Sequence, residues 1–384
     1  MFIAAVFVGM PIIAHAQSTL TSSSAPGTQA NPTAVKRYWT PERLKRAKPM
    51  EQHPKVGADG LPENAPTGAG PNESESNDLL APSVQGEGKP PVSKPGVIQQ
   101  EQILPTTPSK ASQGSLRNFE PDATVVPPAT SSFKAFFTTG RVFPDAAVPA
   151  YPNSAIGKLF FTDPRTSEDF ICSASVLRPR LVVTAGHCVT KPNKNAALRY
   201  FYTNFLFVPA YNNGAAPFSS WTSTLQFVTN TWYTSNGAVP NAQDVAMIIA
   251  IDQRGQRIGD VTGFLGYRTA AIKKNNLTMV GYPANLDDGE RMEVNNAQTF
   301  KAGGANTFIY GSAMRGGSSG GPWIQDYGVA PVSNPFVALA NNYVVGVTSY
   351  GPVATEPKYQ GASNLDTRFL DLVNQACNVQ TGNC

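Results

Sequence analysis

At 384 residues, with 41% apolar residues, 33 glycines and 33 prolines, the chain has room for two or three domains, but its ordered part is expected to be shorter. The formal charge of +4 is spread over both signs, so nothing calls for nucleic acid. Beyond the first residues no segment is long and apolar enough to span a bilayer, so no membrane contact is expected once a leader is removed.

The chain opens on MFIAAVFVGMPIIAHAQ, an apolar run ending in Ala14-His15-Ala16, which predicts a signal peptide over residues 1–16. No Lys or Arg precedes the run, and a membrane anchor is the alternative, although Pro11 interrupts the stretch and it is short for a span. Residues 17–150 are rich in Pro, Ser, Gly and Ala and offer no periodic apolar face, so they are expected to form a disordered pro-region or linker. Within them VKRYWTPERLKRAK, residues 35–48, is the one basic cluster. It reads as a solvated or transiently helical pro-segment, with an anionic-surface contact as the other reading.

Residues 151–384 hold the predicted ordered domain. GKLFFT, DFICSASVL, RLVVTAG, LRYFYTNFLFV, LQFVTNTWYT and VAMIIAI form one series of short apolar segments. GFLGY, LTMVGYP, RMEVNNAQTF, NTFIYGS, GGPWIQ and YVVGVTSYG form a second. Short strands at even spacing, separated by turn residues and without helical patterns between them, predict an all-β sandwich or barrel. Only LDTRFLDLVNQAC has helical spacing, with Phe369, Leu370, Leu372 and Val373 on one face and Asp366 as N-cap, and it is expected to pack on the last barrel. The four cysteines allow three pairings; sequence proximity favours Cys172 with Cys188 and Cys377 with Cys384. Closing the first loop would contribute about 3 kcal/mol.

The run RGGSSGGPW, residues 315–323, crowds glycines around two hydroxyls. A serine hydroxyl is a poor nucleophile without an adjacent base. Of the three histidines, His15 lies in the leader and His53 in the stretch read as disordered, which leaves His187, in LVVTAGHCV. An imidazole acting as base needs a carboxylate on its Nδ1 side. Asp244, where a polar loop meets the strand VAMIIAI, is the first candidate, with Asp252 and Asp260 as rivals.

CSASVLRPRLVVTAGHCV, DVAMIIAI and GGSSGGPW, in that order, resemble the signature blocks of trypsin-like (chymotrypsin-fold) serine endopeptidases. The likeness covers roughly residues 155–375. It implies two antiparallel six-stranded β-barrels followed by a C-terminal helix. It also implies His187 as general base, Asp244 as its orienting carboxylate and Ser319 as nucleophile, with the backbone N–H groups of Gly317 and Ser319 as oxyanion donors. Cys172 and Cys188 match the family's disulfide beside the histidine. Ser349, Tyr350 and Gly351 resemble the strand that pairs with substrate backbone, and Ala313 and Met314 stand at the base of the primary pocket, where neither can pair with a substrate Lys or Arg. VGYP, residues 280–283, is similar to a stretch in bacterial members related to glutamyl endopeptidases, which carry a histidine where this chain has Thr348. Arg315 is either a positive charge for an acidic substrate or a solvent-facing loop residue. Asp287, Asp288 and Glu290 read as a solvated acidic turn, with calcium binding as the alternative.

The implied activity is that of a secreted or periplasmic, monomeric endopeptidase acting on proteins or peptides, without cofactor or metal. Ser318 occupies a place where many relatives have Asp. The oxyanion turn is therefore expected to be held by neutral hydrogen bonds, and maturation to consist of taking the N-terminal segment out of the cleft. The rival readings are a catalytically silent binding module and an interaction protein acting through its N-terminal region.

Overall fold

The strand Ile156–Thr162 is buried at every position, which half-buried alternation cannot explain. Its inner face closes a barrel; its outer face is covered, in part by Trp39, whose ring lies 5.5 Å from that of Phe160. Around that barrel the antiparallel ladder runs through Trp221–Thr229, Thr203–Pro209, Ile156–Thr162, Asp169–Val176, Leu181–Thr184 and Ala246–Ala250, and returns to Trp221–Thr229. Phe161 stacks on Phe170, Tyr202 and Phe205 at 5.0–5.9 Å between centroids. In this computed structural model the described residues are 20–24, 31–57, 60–63, 85–92, 98–106, 136–269, 276–298, 301–304, 307–328, 342–353 and 358–384. The expected signal peptide lies outside them.

The second barrel joins Thr307–Gly311, Tyr359–Asn364, Tyr343–Tyr350, Pro322–Gln325, Asn276–Gly281 and Glu293–Gln298 in that ladder order. Its two ends meet through a side chain: Asn295 Nδ2 donates to the Gly311 carbonyl at 3.0 Å. Phe137–Arg141 adds an outer strand to Glu293–Gln298. Tyr310 and Trp323, with rings 3.9 Å apart, fill the interior with Leu277, Met279 and Met314. The expected all-β pair of six-stranded barrels is therefore the architecture.

The terminal helix spans Thr367–Val379, and Asp366 caps it by accepting from Arg368 N at 2.9 Å. Phe369, Leu372, Val373 and Ala376 are buried, but the helix packs chiefly on Trp221–Thr229 and Ala246–Ala250 of the first barrel, with Phe369 also meeting Tyr267 beside the second. Amphipathic spacing specifies that a face is buried; the path of the chain decides against what. Both disulfides join the cysteines nearest in sequence, Cys172–Cys188 and Cys377–Cys384.

Part of the span read as disordered carries structure. Helix α1 (Pro32–Tyr38) is capped by Asn31 Oδ1 and α2 (Pro41–Arg46) by Thr40 Oγ1, each with proline in its first turn. Helices this short are not stable alone. Docking supplies the stabilisation, because Val35, Trp39 and Leu44 are buried against the first barrel.

Glu293, buried in the second barrel, has its carboxyl pushed up from 4.5 to about 7 by burial and by the neighbouring Asp287. A raised carboxyl pKa stabilises the fold below the unfolded value, and that contribution is lost as pH rises through the folded one. Glu293→Gln is therefore expected to leave the Tm unchanged near pH 4 and to raise it relative to the parent at pH 8, as read by thermal unfolding at both pH values.

Candidate active site

Register places the first two residues. In the ladder between Ala246–Ala250 and Leu181–Thr184, Ala246 pairs with Thr184, so two steps back along one strand lies opposite two steps forward along the other. Asp244 thereby faces the turn Gly186–Cys188 that carries His187. Asp244 Oδ1 accepts from the His187 backbone N–H and Oδ2 faces His187 Nδ1, both at 2.8 Å. Ser349 Oγ, from the second barrel, donates to the same Oδ2 at 2.5 Å. All three residues are buried. The rival carboxylates are engaged elsewhere: Asp252 takes both arms of Arg180 at 2.6 Å, and Asp260 pairs with Arg257.

Ser319 sits on the turn before Pro322–Gln325. Ser173 N–H of the first barrel donates to Ser319 O at 2.7 Å, and Gly320 N–H donates to Thr348 O at 2.8 Å. The glycines are required by this geometry. Gly317 and Gly320 adopt φ of +92° and +78°, and a Cβ on Gly320 would lie 2.0 Å from Thr184 Oγ1. Ser173 Oγ fastens the turn further, donating to Gly317 O and accepting from Tyr282 N–H, each at 2.9 Å.

Ser318 points away from the cleft. Its hydroxyl donates to Arg315 O and accepts from Gln360 Nε2, both at 2.6 Å, while Ser312 Oγ donates to Gln360 Oε1 at 3.1 Å. The turn is thus braced by neutral groups, in keeping with the absence of an acid at position 318. Gln360 carries no local signal in sequence, because its partner Ser318 lies 42 residues away.

The cleft beside Ser319 is lined by Arg315, Gly316, Thr348, Tyr350, Gly351 and Gln360 on the domain side. The Tyr350 side chain is buried and its backbone pairs with Gly361, and Ser349 belongs to the Asp244 cluster, while Gly351 meets Gln52 through its N–H and His53 through its carbonyl. Ala313 lies outside the cleft lining, with its N–H on Thr139 Oγ1 and its carbonyl on Asn285. Met314 is wholly buried in the second core. Facing the domain side are Glu51, Gln52 and His53, residues that composition alone gave no reason to place there.

In the acidic turn, Glu290 pairs with the buried Lys158 at 3.0 Å and Asp287 approaches Arg141 at 3.8 Å, so two of its three carboxylates already meet cations. Among the described residues the one cluster with metal-ligand spacing is Cys172, His187 and Cys188, whose two sulfurs are joined in the disulfide.

The sequence profile of the trypsin family matches residues 148–373, more than half of the chain and both barrels. The chain belongs to the trypsin family. Curated relatives include the glutamyl endopeptidase of Bacillus licheniformis, 26% identical over 52% of this chain and 58% of that protein. Another is a Bacillus subtilis protein named extracellular metalloprotease, 22% identical over 47% of this chain and 55% of that one. The chain therefore spans little more than half the length of the curated relatives it matches. Among solved structures, a thermostable serine protease from an extremophilic microorganism shares the fold at 22% identity and a TM-score of 0.50, over 62% of this chain and 100% of that one.

Gln360→Leu would leave the hydroxyls of Ser312 and Ser318 without their buried bridge, a loss of about 1–3 kcal/mol. The expected outcome is a lower denaturant midpoint with unchanged slope, measured by equilibrium unfolding.

Proposed function

We propose that this trypsin-family chain is a secreted serine endopeptidase that cleaves peptide bonds through an acyl-enzyme on Ser319. The observation that carries the reading is the buried Asp244–His187 pair, with both carboxylate oxygens engaged and Nδ1 facing Oδ2, joined to the glycine-bounded Ser319 turn through one strand: Ser349 donates to Asp244, and the Thr348 carbonyl accepts from Gly320 N–H. Asp244 fixes the tautomer in which Nδ1 carries the proton, which leaves Nε2 as the base. His187 takes the Ser319 proton as Oγ bonds to the substrate carbonyl carbon, and returns it to the leaving amine as the C–N bond breaks. Water then repeats the sequence against the ester, releasing the acid and restoring the hydroxyl. The N–H groups of Gly317 and Ser319 are assigned to the oxyanion, where fixed donors in a water-poor turn favour the developing charge over the ground state.

The intact set of groups favours this over a silent binding module. Substrates are proteins or peptides, and no cofactor enters the mechanism. Gly316 N–H donates to an acidic partner in the cleft, the Glu51 carboxylate, at 3.1 Å, beside Arg315. Together with the name of the Bacillus licheniformis relative, that makes peptides with an acidic residue the first to test. Secretion rests on the apolar leader over residues 1–16 and the two disulfides, which persist in oxidising compartments.

A fluorophosphonate probe is expected to label the processed protein at one residue. Ser319→Ala should abolish labelling and proteolysis, whereas Ser318→Ala, which removes a brace and not the nucleophile, should retain measurable activity. Labelling that survives without the Ser319 hydroxyl would overturn the assignment. Asp244→Asn should lower kcat by about 10⁴-fold, because the amide selects the wrong imidazole tautomer.

A further inference from the structure

The cleft is not open. After α2 the chain continues as an extended segment across it. Lys48 and Pro49 pair in parallel with Phe170 and Ile171 of the first barrel, and Met50 N–H donates to Ile171 O at 3.0 Å. The Met50 carbonyl then lies between two groups of the proposed machinery, accepting from Gly317 N–H at 3.3 Å and from Ser319 Oγ at 3.2 Å. The Glu51 carboxylate takes Gly316 N–H at 3.1 Å, and Gln52 O takes Gly351 N–H at 3.2 Å. His53 Nδ1 lies 3.1 Å from Gly351 O, so the crossing ends on the second barrel.

The segment is anchored outside the cleft as well. Trp39 is buried and its Nε1 donates to Asn204 O at 2.6 Å. Arg43 and Arg46 reach Asp169 Oδ2 at 2.9 and 3.3 Å, and Tyr38 donates to its Oδ1 at 2.9 Å. The Asp169 side chain is fully buried, which makes this pairing costly to break. Part of the basic cluster at residues 35–48 is therefore the complement of a buried acid on the chain's own domain.

The effect on the proposed chemistry is specific. The Ser319 hydroxyl donates to the Met50 carbonyl, and the buried His187 Nε2 has no hydrogen-bond partner among the described residues. In this arrangement the nucleophile's proton is directed at a peptide oxygen, not at the base.

We infer that residues 31–53 are an inhibitory strap that the cleft binds as a ligand: its helices dock on the first barrel, and residues 48–53 cover the cleft while Met50 diverts the Ser319 hydroxyl from His187. The strap is assigned as an inhibitor and not a substrate, because in this arrangement the Ser319 hydroxyl donates to Met50 and not to His187. This rests on the proposed role of Ser319 for its consequence, and on backbone contacts alone for its occupancy.

The test uses the full chain and two loosened variants, Trp39→Ala and the double substitution Arg43→Ala with Arg46→Ala, neither of which touches the cleft. Thermal unfolding confirms that the barrels persist, and the second variant stands in if the first does not fold. Two readouts separate the strap from the chemistry. Amide hydrogen exchange at Gly317 and Gly351 reports occupancy, and fluorophosphonate labelling at Ser319 reports access to the nucleophile. Both rates are expected to rise at least about tenfold over the parent chain while the chain stays intact. Faster exchange with no labelling in any form would leave the strap standing and sink the acylation on Ser319. Exchange and labelling rates that match the parent in both variants would overturn the strap. So would cutting of the parent chain at Met50–Glu51 that disappears in Ser319→Ala, since the segment would then be a substrate.

Discussion

The buried carboxylate of Asp244 is the constraint on which the site depends. It lies at the seam of the two barrels, and its three partner atoms come from both: the two oxygens receive the backbone N–H and Nδ1 of His187 on one side and the Ser349 hydroxyl on the other. An ionised carboxylate in such a place is tolerated only where donors surround it. Satisfying it therefore fixes the turn that carries His187, the start of Ala246–Ala250, and the end of Tyr343–Tyr350 relative to one another. The barrels cannot slide without uncovering that charge.

The Ser319 turn is held by a different kind of contact. Backbone bonds from Ser173 and to Thr348 tie it to both barrels, and the Ser312–Gln360–Ser318 chain braces it through the Ser318 hydroxyl. These groups are neutral, so the turn does not require a newly formed charge to take its shape. Its positive-φ glycines are a consequence of close approach by Thr184 and Tyr282, which leave no space for side chains. Stability and chemistry draw on the same crowding.

The strap exploits what such a turn must offer. Under the proposed assignment the turn presents N–H donors to any carbonyl oxygen that reaches it, and Met50 brings one from the same chain. Because the helices before it are held by the buried Asp169 and by Trp39, the effective concentration of that carbonyl is set by a short tether and not by diffusion. Occupancy then costs little entropy, and release requires the anchors to be cut or loosened.

What the sequence determined by itself is the chemistry that is local along the chain. The two glycine pairs around Ser318 and Ser319, the histidine after an apolar strand, the acid before another, and cysteines close enough to join each specify their own turn or bridge within a few residues. Short apolar segments at even spacing likewise specified strands. What only the tertiary structure decided involves partners far apart in sequence, whose meeting depends on chain path: Met50 at Ser319, 269 residues away, Gln360 at Ser318, Ser349 at Asp244, and the terminal helix on the first barrel. The same reason accounts for α1 and α2, since a proline-rich stretch with three anchoring apolar residues has no order to display until a folded surface buries them. Met314, expected beside Ala313 at the base of the primary pocket, packs with Tyr310 and Trp323 in the second core, a placement that chain path and packing decide.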